Sequence, residues 1–125
     1  MNGDVLFFFE KHKDMLPVYE ALEDRILNEI ENVRIKVQKT QITFYNRYLF
    51  ACVSFMRVRK KKDCPSDYMV VTFGLSHKAE SPRIDIATEP YLNRWTHHAL
   101  VSSIEEINDE LMGWVKEAAE FAAGK

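Results

Sequence analysis

The spacing of the apolar residues changes twice along this chain, and this change constrains the fold more than any other sequence feature. Between residues 16 and 30 the apolar residues recur at intervals of three and four, which predicts an amphipathic helix. From Val33 to Val101 they recur mainly at every second position within short segments, which is typical of half-buried strands. After residue 103 the helical spacing returns, so the predicted order is helix, strands, helix.

This order predicts an α+β fold. We expect a two-layer sandwich, in which a meander of about five antiparallel strands is backed by N- and C-terminal helices. The helical N-terminal part covers residues 4–31, and a capping box from Ser103 to Glu106 starts the last helix. Antiparallel strands need cover on one face only, so the other face is expected to be open. No linker or repeat interrupts residues 1–125, which predicts a single domain.

Composition excludes several classes of protein. A formal net charge of -2 over 125 residues does not suggest a duplex-binding domain. The apolar runs are too short to span a bilayer, so no membrane association is expected. Cys52 and Cys64 do not form a disulfide framework, and two free thiols favour a cytoplasmic protein. The basic residues between positions 57 and 62 fit a solvated hairpin tip better than a phosphate-binding patch.

Catalytic and cofactor signatures are missing from the sequence. It has no glycine-rich phosphate loop, nucleophile elbow, dinucleotide fingerprint or paired CxxC pattern. We therefore predict no cofactor and no metal site, and the sequence leaves open whether the protein is an enzyme.

Strand parity predicts which polar side chains the open face carries, because neighbouring residues of a strand point to opposite faces. Ile42 and Phe44 are expected to face the helices, which sends the polar residues beside them to the open face. The same argument applied to Ile84 and Ile86 sends Arg83 outward. These side chains would form one polar, basic-leaning surface.

The adjacent histidines must lie on opposite faces of their strand, so only one of them joins this surface. They are also poorly placed to chelate one metal ion. Each candidate also fits an ordinary solvated or packed position. The candidate ligand-binding residues are Lys39, Gln41, Arg83, Arg94, His97 and His98.

Several short segments together resemble a known family. In order they are Lys39-Thr40-Gln41-Ile42-x-Phe44, Phe50-Ala51-x-Val53, Phe73-Gly74-Leu75, Ser81-Pro82-Arg83, His97-His98-Ala99-Leu100 and Asp109-Glu110-Leu111-x-x-Trp114-x-x-Glu117-Ala118. Their order and spacing over about residues 33–122 resemble the bacterial domain-of-unknown-function family 5655. The family has no established activity. The resemblance of this chain to it implies a module that in other proteins is joined to uncharacterised or nuclease-like domains. It also implies recurring polar positions at Lys39, Arg83, His97 and His98.

Three hypotheses of function follow. The first is a small binding module that recognises an anionic ligand on the open sheet face, either a phosphorylated metabolite or a single-stranded nucleic acid. The second is an enzyme that uses His97 or His98 as a general base beside Arg83, which requires these groups and Lys39 to converge. The third is a protein-interaction or homodimer module that buries the apolar second face of residues 50–56.

Overall fold

The computed structural model describes residues 3–125; Met1 and Asn2, the first two residues of the predicted domain, lie outside this range. Its helices are α1 (Gly3–Phe8), α2 (Leu16–Glu29) and α3 (Asp109–Ala123). Its strands are β1 (Arg34–Val37), β2 (Gln41–Tyr45), β3 (Leu49–Ser54), β4 (Met69–Leu75), β5 (Ile86–Tyr91) and β6 (Arg94–Val101). Short 3₁₀ turns cover Lys13–Met15, Lys61–Asp63 and Ile104–Glu106. The predicted α+β class is confirmed.

The sheet is antiparallel throughout its described pairings and has six strands in the order β1-β2-β3-β4-β6-β5. The first four strands form the predicted meander. The last two do not continue it, because β6 inserts between β4 and β5 and leaves β5 at the edge. The expectation of an antiparallel sheet of about five strands is confirmed by a sheet of six, whereas the simple meander order is wrong for β5 and β6.

Both long helices pack on the same face of this sheet. Tyr19, Leu22 and Ile26 of α2 and Leu111 and Val115 of α3 belong to one buried apolar cluster with the inward residues of the strands. Pro17 lies in the first turn of α2, where its missing N–H removes no helical hydrogen bond. The two-layer arrangement follows from these two apolar stripes, since each must be covered by the sheet.

Ion pairs join the outer sides of the two helices. Arg25 of α2 donates to Glu29 on its own helix and to Asp109 of α3, at 2.6 and 2.9 Å. Lys116 of α3 contacts Glu29 at 2.5 Å. Arg25, followed by Lys116, lowers the pKa of the Glu29 carboxyl to about 2. These contacts fix how the two helices lie side by side.

The last helix begins later than the capping box predicts. The box is present, with Ser103 and Glu106 bonding reciprocally, but it caps only the 3₁₀ turn Ile104–Glu106. The helix α3 begins at Asp109, and the Asn108 side chain accepts the N–H of Leu111 as its N-cap. Asn108 would lie inside a helix that starts at the capping box, but in the structure it is the cap of α3.

A β-bulge alters the second face of β3. Phe44 pairs with Ala51, whereas Tyr45 pairs with Leu49, so Phe50 is the extra residue. Phe50 consequently joins Ala51 in the core cluster instead of pointing to the opposite face. The expected apolar second face of residues 50–56 loses its largest member in this way.

The sheet face away from the helices is covered at one end. Val70 and Leu100 pair across β4 and β6 on this face and are 0% and 2% exposed. The connection over residues 55–68 extends across this end, because Arg59 donates to Asp85 at 2.7 Å and Asp85 accepts the N–H of Leu100. The face is therefore open only in part. No helix among residues 3–125 is long and apolar enough to cross a membrane.

Candidate functional site

The six predicted site residues occupy five separate places in the fold. The prediction that His97 and His98 face opposite sides of β6 is confirmed. His97 pairs with Phe73 and Ala87 on the helix side, whereas His98 pairs with Thr72 and Ile86 on the other side.

His97 is a core residue. Its side chain is 0% exposed, and its ring stacks on Phe73 at a centroid distance of 5.0 Å. The N–H of Ala79 donates to Nε2 at 2.9 Å, which places the ring proton on the buried Nδ1. Burial lowers the pKa of His97. A neutral ring held in this way has no access to a ligand.

His98 lies on the face away from the helices, in a row of polar side chains across four strands. His98 Nδ1 and Thr72 Oγ1 share a hydrogen bond of 2.8 Å, and Cys52 and Thr43 continue the row through strand pairing. Burial lowers the pKa of His98 and raises the pKa of the Cys52 thiol. A protonated thiol is a poor nucleophile, so this row does not form an activated cysteine.

Arg83 does not lie on the open face, and this part of the parity prediction is wrong. It belongs to a turn before β5, and its guanidinium donates to the Glu106 carbonyl at 2.8 Å and to Asn108 Oδ1 at 2.9 Å. Glu110 lies 3.8 Å from it. Arg83 therefore attaches the β4–β5 connection to the start of α3, on the helix side of the sheet.

Arg94 lies at the opposite end of β6 from Arg83. It is exposed and lines a shallow depression with Asn93, Phe121 and Lys125 at the end of α3. The length of β6 separates the two arginines by about 20 Å, since each strand residue advances the chain by roughly 3.3 Å. One ligand of metabolite size does not reach both.

Lys39 and Gln41 lie on the hairpin between β1 and β2. Gln41 donates to the side chain of Gln38 at 3.3 Å, and Lys39 is exposed at the tip. About four strand spacings, or roughly 20 Å, separate this hairpin from Arg83. The general-base hypothesis requires Lys39, Arg83 and a histidine to lie together, and the structure does not bring them together.

A concave surface adjoins this hairpin, which we call the α1 cleft. It has a volume of about 550 Å³ and lies between α1, the hairpin tip and the end of β3. Its apolar wall consists largely of three phenylalanines, and polar groups surround it. The lining residues are Asp4, Phe7, Phe8, Glu10, Lys11, His12, Val37, Gln38, Lys39, Thr40 and Phe55.

The aromatic wall of the α1 cleft is held in place by ring contacts. Phe8 stacks on Phe55 at 4.9 Å, and His12 stacks on the same ring at 3.9 Å. His12 Nδ1 lies 2.7 Å from Asp67, which fixes the imidazole. Phe7 is different, because it is 76% exposed. Its ring is therefore accessible to a ligand at the edge of the α1 cleft.

The polar part of the α1 cleft contains free cationic groups. Within residues 3–125, neither Lys11 nor Lys39 has an ion-pair partner. The backbone N–H groups of Lys39 and Thr40 likewise donate to no acceptor in this range. Two ammonium groups, two N–H groups and the Thr40 hydroxyl can therefore donate hydrogen bonds to a ligand.

Sequence reasoning found only one side of this site. It selected Lys39 and Gln41 but assigned α1 to the packed scaffold, because Val5 and Phe9 of the same segment are indeed buried. The available signal was five consecutive apolar residues, Val5 to Phe9, in a short helical segment that can bury only one side. Among residues 3–125, no cluster of three His, Cys, Asp or Glu side chains could hold a metal ion.

Comparison with known proteins gives one assignment. No curated protein and no solved structure matches the chain. The family model described as a domain of unknown function, DUF5655, matches residues 7–122. This range extends the expected region of about 33–122 to include α2 and the end of α1. Because the match covers nearly the whole chain, the protein belongs to the DUF5655 family.

Proposed function

We propose that this protein is a small binding module that takes an anionic ligand in the α1 cleft. The observation that supports the proposal best is the position of Lys11 and Lys39 beside an aromatic wall in one concave surface. Apolar pockets with a few convergent polar groups are the usual form of small-molecule sites. The proposal keeps the anionic ligand of the sequence analysis but moves its site from the sheet face to the sheet end.

The chemistry of the cleft favours a ligand with a negative group and a planar apolar part. The exposed ring of Phe7 offers a surface on which a flat ring can stack, while Lys39 and the adjacent N–H groups can bind phosphate or carboxylate oxygens. Glu10 on the α1 side can accept hydrogen bonds from donors on the same ligand. A phosphorylated metabolite of nucleotide type meets these requirements.

Support for the two other hypotheses is weaker. An enzyme built on Arg83 lacks its premise, because Arg83 lies about 20 Å from Lys39 and on the other side of the sheet from His98. A homodimer through residues 50–56 would use a face on which Cys52 is buried and from which Phe50 is absent. As part of the same proposal we assign the protein to the cytoplasm, which the free thiols of Cys52 and Cys64 support.

The test is ligand-induced thermal stabilisation with a panel of nucleoside phosphates, sugar phosphates and inorganic phosphate, followed by calorimetric titration. We expect at least one nucleoside phosphate to raise Tm, because binding to the native state alone stabilises it. Lys39→Ala should weaken the binding of this ligand by about tenfold, which is the effect expected from the loss of one charge-assisted hydrogen bond.

A matched control is Lys78→Ala, which removes an exposed lysine near Trp95, away from the α1 cleft. This variant should bind as the unaltered protein does. If no member of the panel changes Tm, or if Lys78→Ala and Lys39→Ala weaken binding equally, the proposal is wrong.

A further inference from the structure

The most strongly charged surface of the protein is the segment of residues 57–62, which we call the basic loop. It carries five cationic side chains in six residues, whereas the whole chain has a formal net charge of -2. Arg57, Lys60, Lys61 and Lys62 are exposed, and within residues 3–125 they have no ion-pair partner. Exposed cations that repel each other without compensation are costly for the protein alone and favourable for an anionic partner.

The basic loop has a defined conformation. Lys61–Asp63 form a 3₁₀ turn, and Asp63 N–H donates to the Lys60 carbonyl at 2.8 Å. Cys64 Sγ donates to the Arg59 carbonyl at 3.7 Å, which ties the two sides of the loop together. The cations are thus displayed by an ordered backbone, so a ligand would not have to order it.

Arg59 has a different role from its neighbours. Its guanidinium bonds both oxygens of Asp85, at 2.7 and 3.5 Å, and this ion pair is partly buried. Asp85 in turn accepts the N–H of Leu100 on β6. Arg59 therefore fastens the basic loop across β4 and β6, about two strand spacings or roughly 10 Å from β3.

The basic loop and the α1 cleft are parts of one surface. Phe55 lines the cleft and precedes Arg57 by only two residues. The chain that follows the basic loop reaches the cleft again, because Asp67 bonds to His12. Phe55 of the cleft is therefore followed along the chain by the four free cations of the basic loop, Arg57, Lys60, Lys61 and Lys62.

From this juxtaposition we infer that the ligand is a single strand of nucleic acid, with one base in the α1 cleft and its following phosphates along the basic loop. The inference rests on the proposed function, because it uses the same cleft. Aromatic rings beside a cationic track form the usual surface for single strands, since every base has a face that can stack. A mononucleotide would use only the cleft.

A duplex fits this surface less well. Its bases are stacked on each other and cannot enter the cleft, and its phosphates lie on two strands. The cations occupy one narrow loop instead of a broad face, and the rest of the chain is net acidic. Contacts from lysines to phosphates carry no sequence information, so we expect little sequence preference.

The experiment compares a labelled oligothymidylate of about 12 nucleotides, long enough to fill such a track, with thymidine monophosphate. Fluorescence anisotropy at several salt concentrations measures the first, and calorimetry measures the second. The variant combines Lys60→Glu, Lys61→Glu and Lys62→Glu. This variant should weaken binding of the oligonucleotide by about tenfold or more. Its affinity should also depend less on salt, because each lost phosphate contact lowers the slope of log affinity against log salt concentration by about 0.7. Its affinity for the mononucleotide should change little.

The control combines Arg47→Glu, Lys78→Glu and Lys125→Glu, which change the net charge equally at exposed sites outside the basic loop. It should bind the oligonucleotide much better than the loop variant does. Lys39→Ala should weaken the binding of both the oligonucleotide and the mononucleotide, since a base and its phosphate occupy the cleft in each case.

The outcomes separate the two proposals. If neither the mononucleotide nor the oligonucleotide binds, and no other ligand of the panel raises Tm, the proposed function itself fails. Only the present inference fails if the mononucleotide binds, the oligonucleotide binds no more tightly than the mononucleotide, and the loop variant has the same affinity for the oligonucleotide as the unaltered protein. Equal affinity for a duplex of the same length would also overturn it.

Discussion

His97 and His98 are adjacent in the chain but have different chemical environments. His97 accepts a hydrogen bond from Ala79 N–H in the core, whereas His98 shares one with Thr72 on the other sheet face. Strand parity predicts this separation from the sequence. Parity alone cannot say which histidine is buried, because that depends on which face the helices cover.

The buried imidazole of His97 predicts a specific pH dependence of stability. Its pKa in the folded protein is lower than the value of about 6.5 in an unfolded chain, so the unfolded state binds the proton more readily. The free energy of unfolding should therefore fall as pH drops below about 6.5. His97→Gln keeps an acceptor for Ala79 N–H and removes the titration, so its loss of stability between about pH 7 and pH 5 should be smaller. Urea unfolding at both pH values measures this difference.

His77 provides a control with the opposite sign. Its hydrogen bond with Glu117 raises the pKa of His77, so this residue stabilises the fold below its unfolded pKa and loses that effect as pH rises. His77→Gln should consequently make the loss on acidification larger. If His97→Gln loses as much stability as the unaltered protein, the buried imidazole is not the source of the effect.

At the scale of elements, the helices could be predicted from the sequence and the turn before β5 could not. The pattern around Arg83 looks like a strand, because Ile84 and Ile86 alternate with polar residues. In the structure the chain bends at Asp85, so Ile84 packs against the core while Ile86 pairs with His98 on the other face. A period of two does not distinguish a strand from a turn that leads into one.

The placement of Arg83 predicts a structural effect instead of a binding effect. Arg83→Ala removes bonds to the Glu106 carbonyl and to Asn108, the cap of α3, and should lower the free energy of unfolding by about 1–2 kcal/mol. Affinity for a ligand of the α1 cleft should not change. Chemical denaturation and calorimetry of the same sample measure both quantities.

Two further variants define this result. Asn108→Ala should cost about 1 kcal/mol, and its effect should not add fully to that of Arg83→Ala, because the two side chains share a bond. Arg94→Ala, at an exposed position, should change stability by less than about 0.5 kcal/mol. Loss of binding with unchanged stability in Arg83→Ala would instead place this residue in the ligand site.

At the scale of the whole molecule, the α+β class and the two-layer arrangement followed from the sequence. Three features did not follow from it: the insertion of β6, the cover over Val70 and Leu100 on the second face, and the α1 cleft. Each depends on contacts between residues far apart in the chain, such as Arg59 with Asp85 or Phe8 with Phe55. Local periodicity contains no information on such pairs.

The second face of β3 predicts the association state. We expect one chain per particle in size-exclusion chromatography with light scattering, because Phe50 packs into the core and Cys52 is buried, which leaves little exposed apolar surface there beyond Leu49 to join two copies. Among the described residues, the large apolar side chains with the highest exposed fractions are Phe7 in the cleft and Tyr91 and Leu92 at the β5–β6 hairpin. A dimer that Leu92→Glu dissociates would contradict the prediction and place an interface on that hairpin.

The position of β6 in the sheet has a consequence for the growing polypeptide. Strands β1 to β4 can pair in the order in which they are synthesised, but one side of β4 must wait for residues 94–101, as the pairing of Met69 with Val101 requires. Until then an almost wholly apolar strand has free N–H and C=O groups along one edge. Such an edge recruits other chains, so the nascent protein should depend most on chaperones between the synthesis of β4 and that of β6.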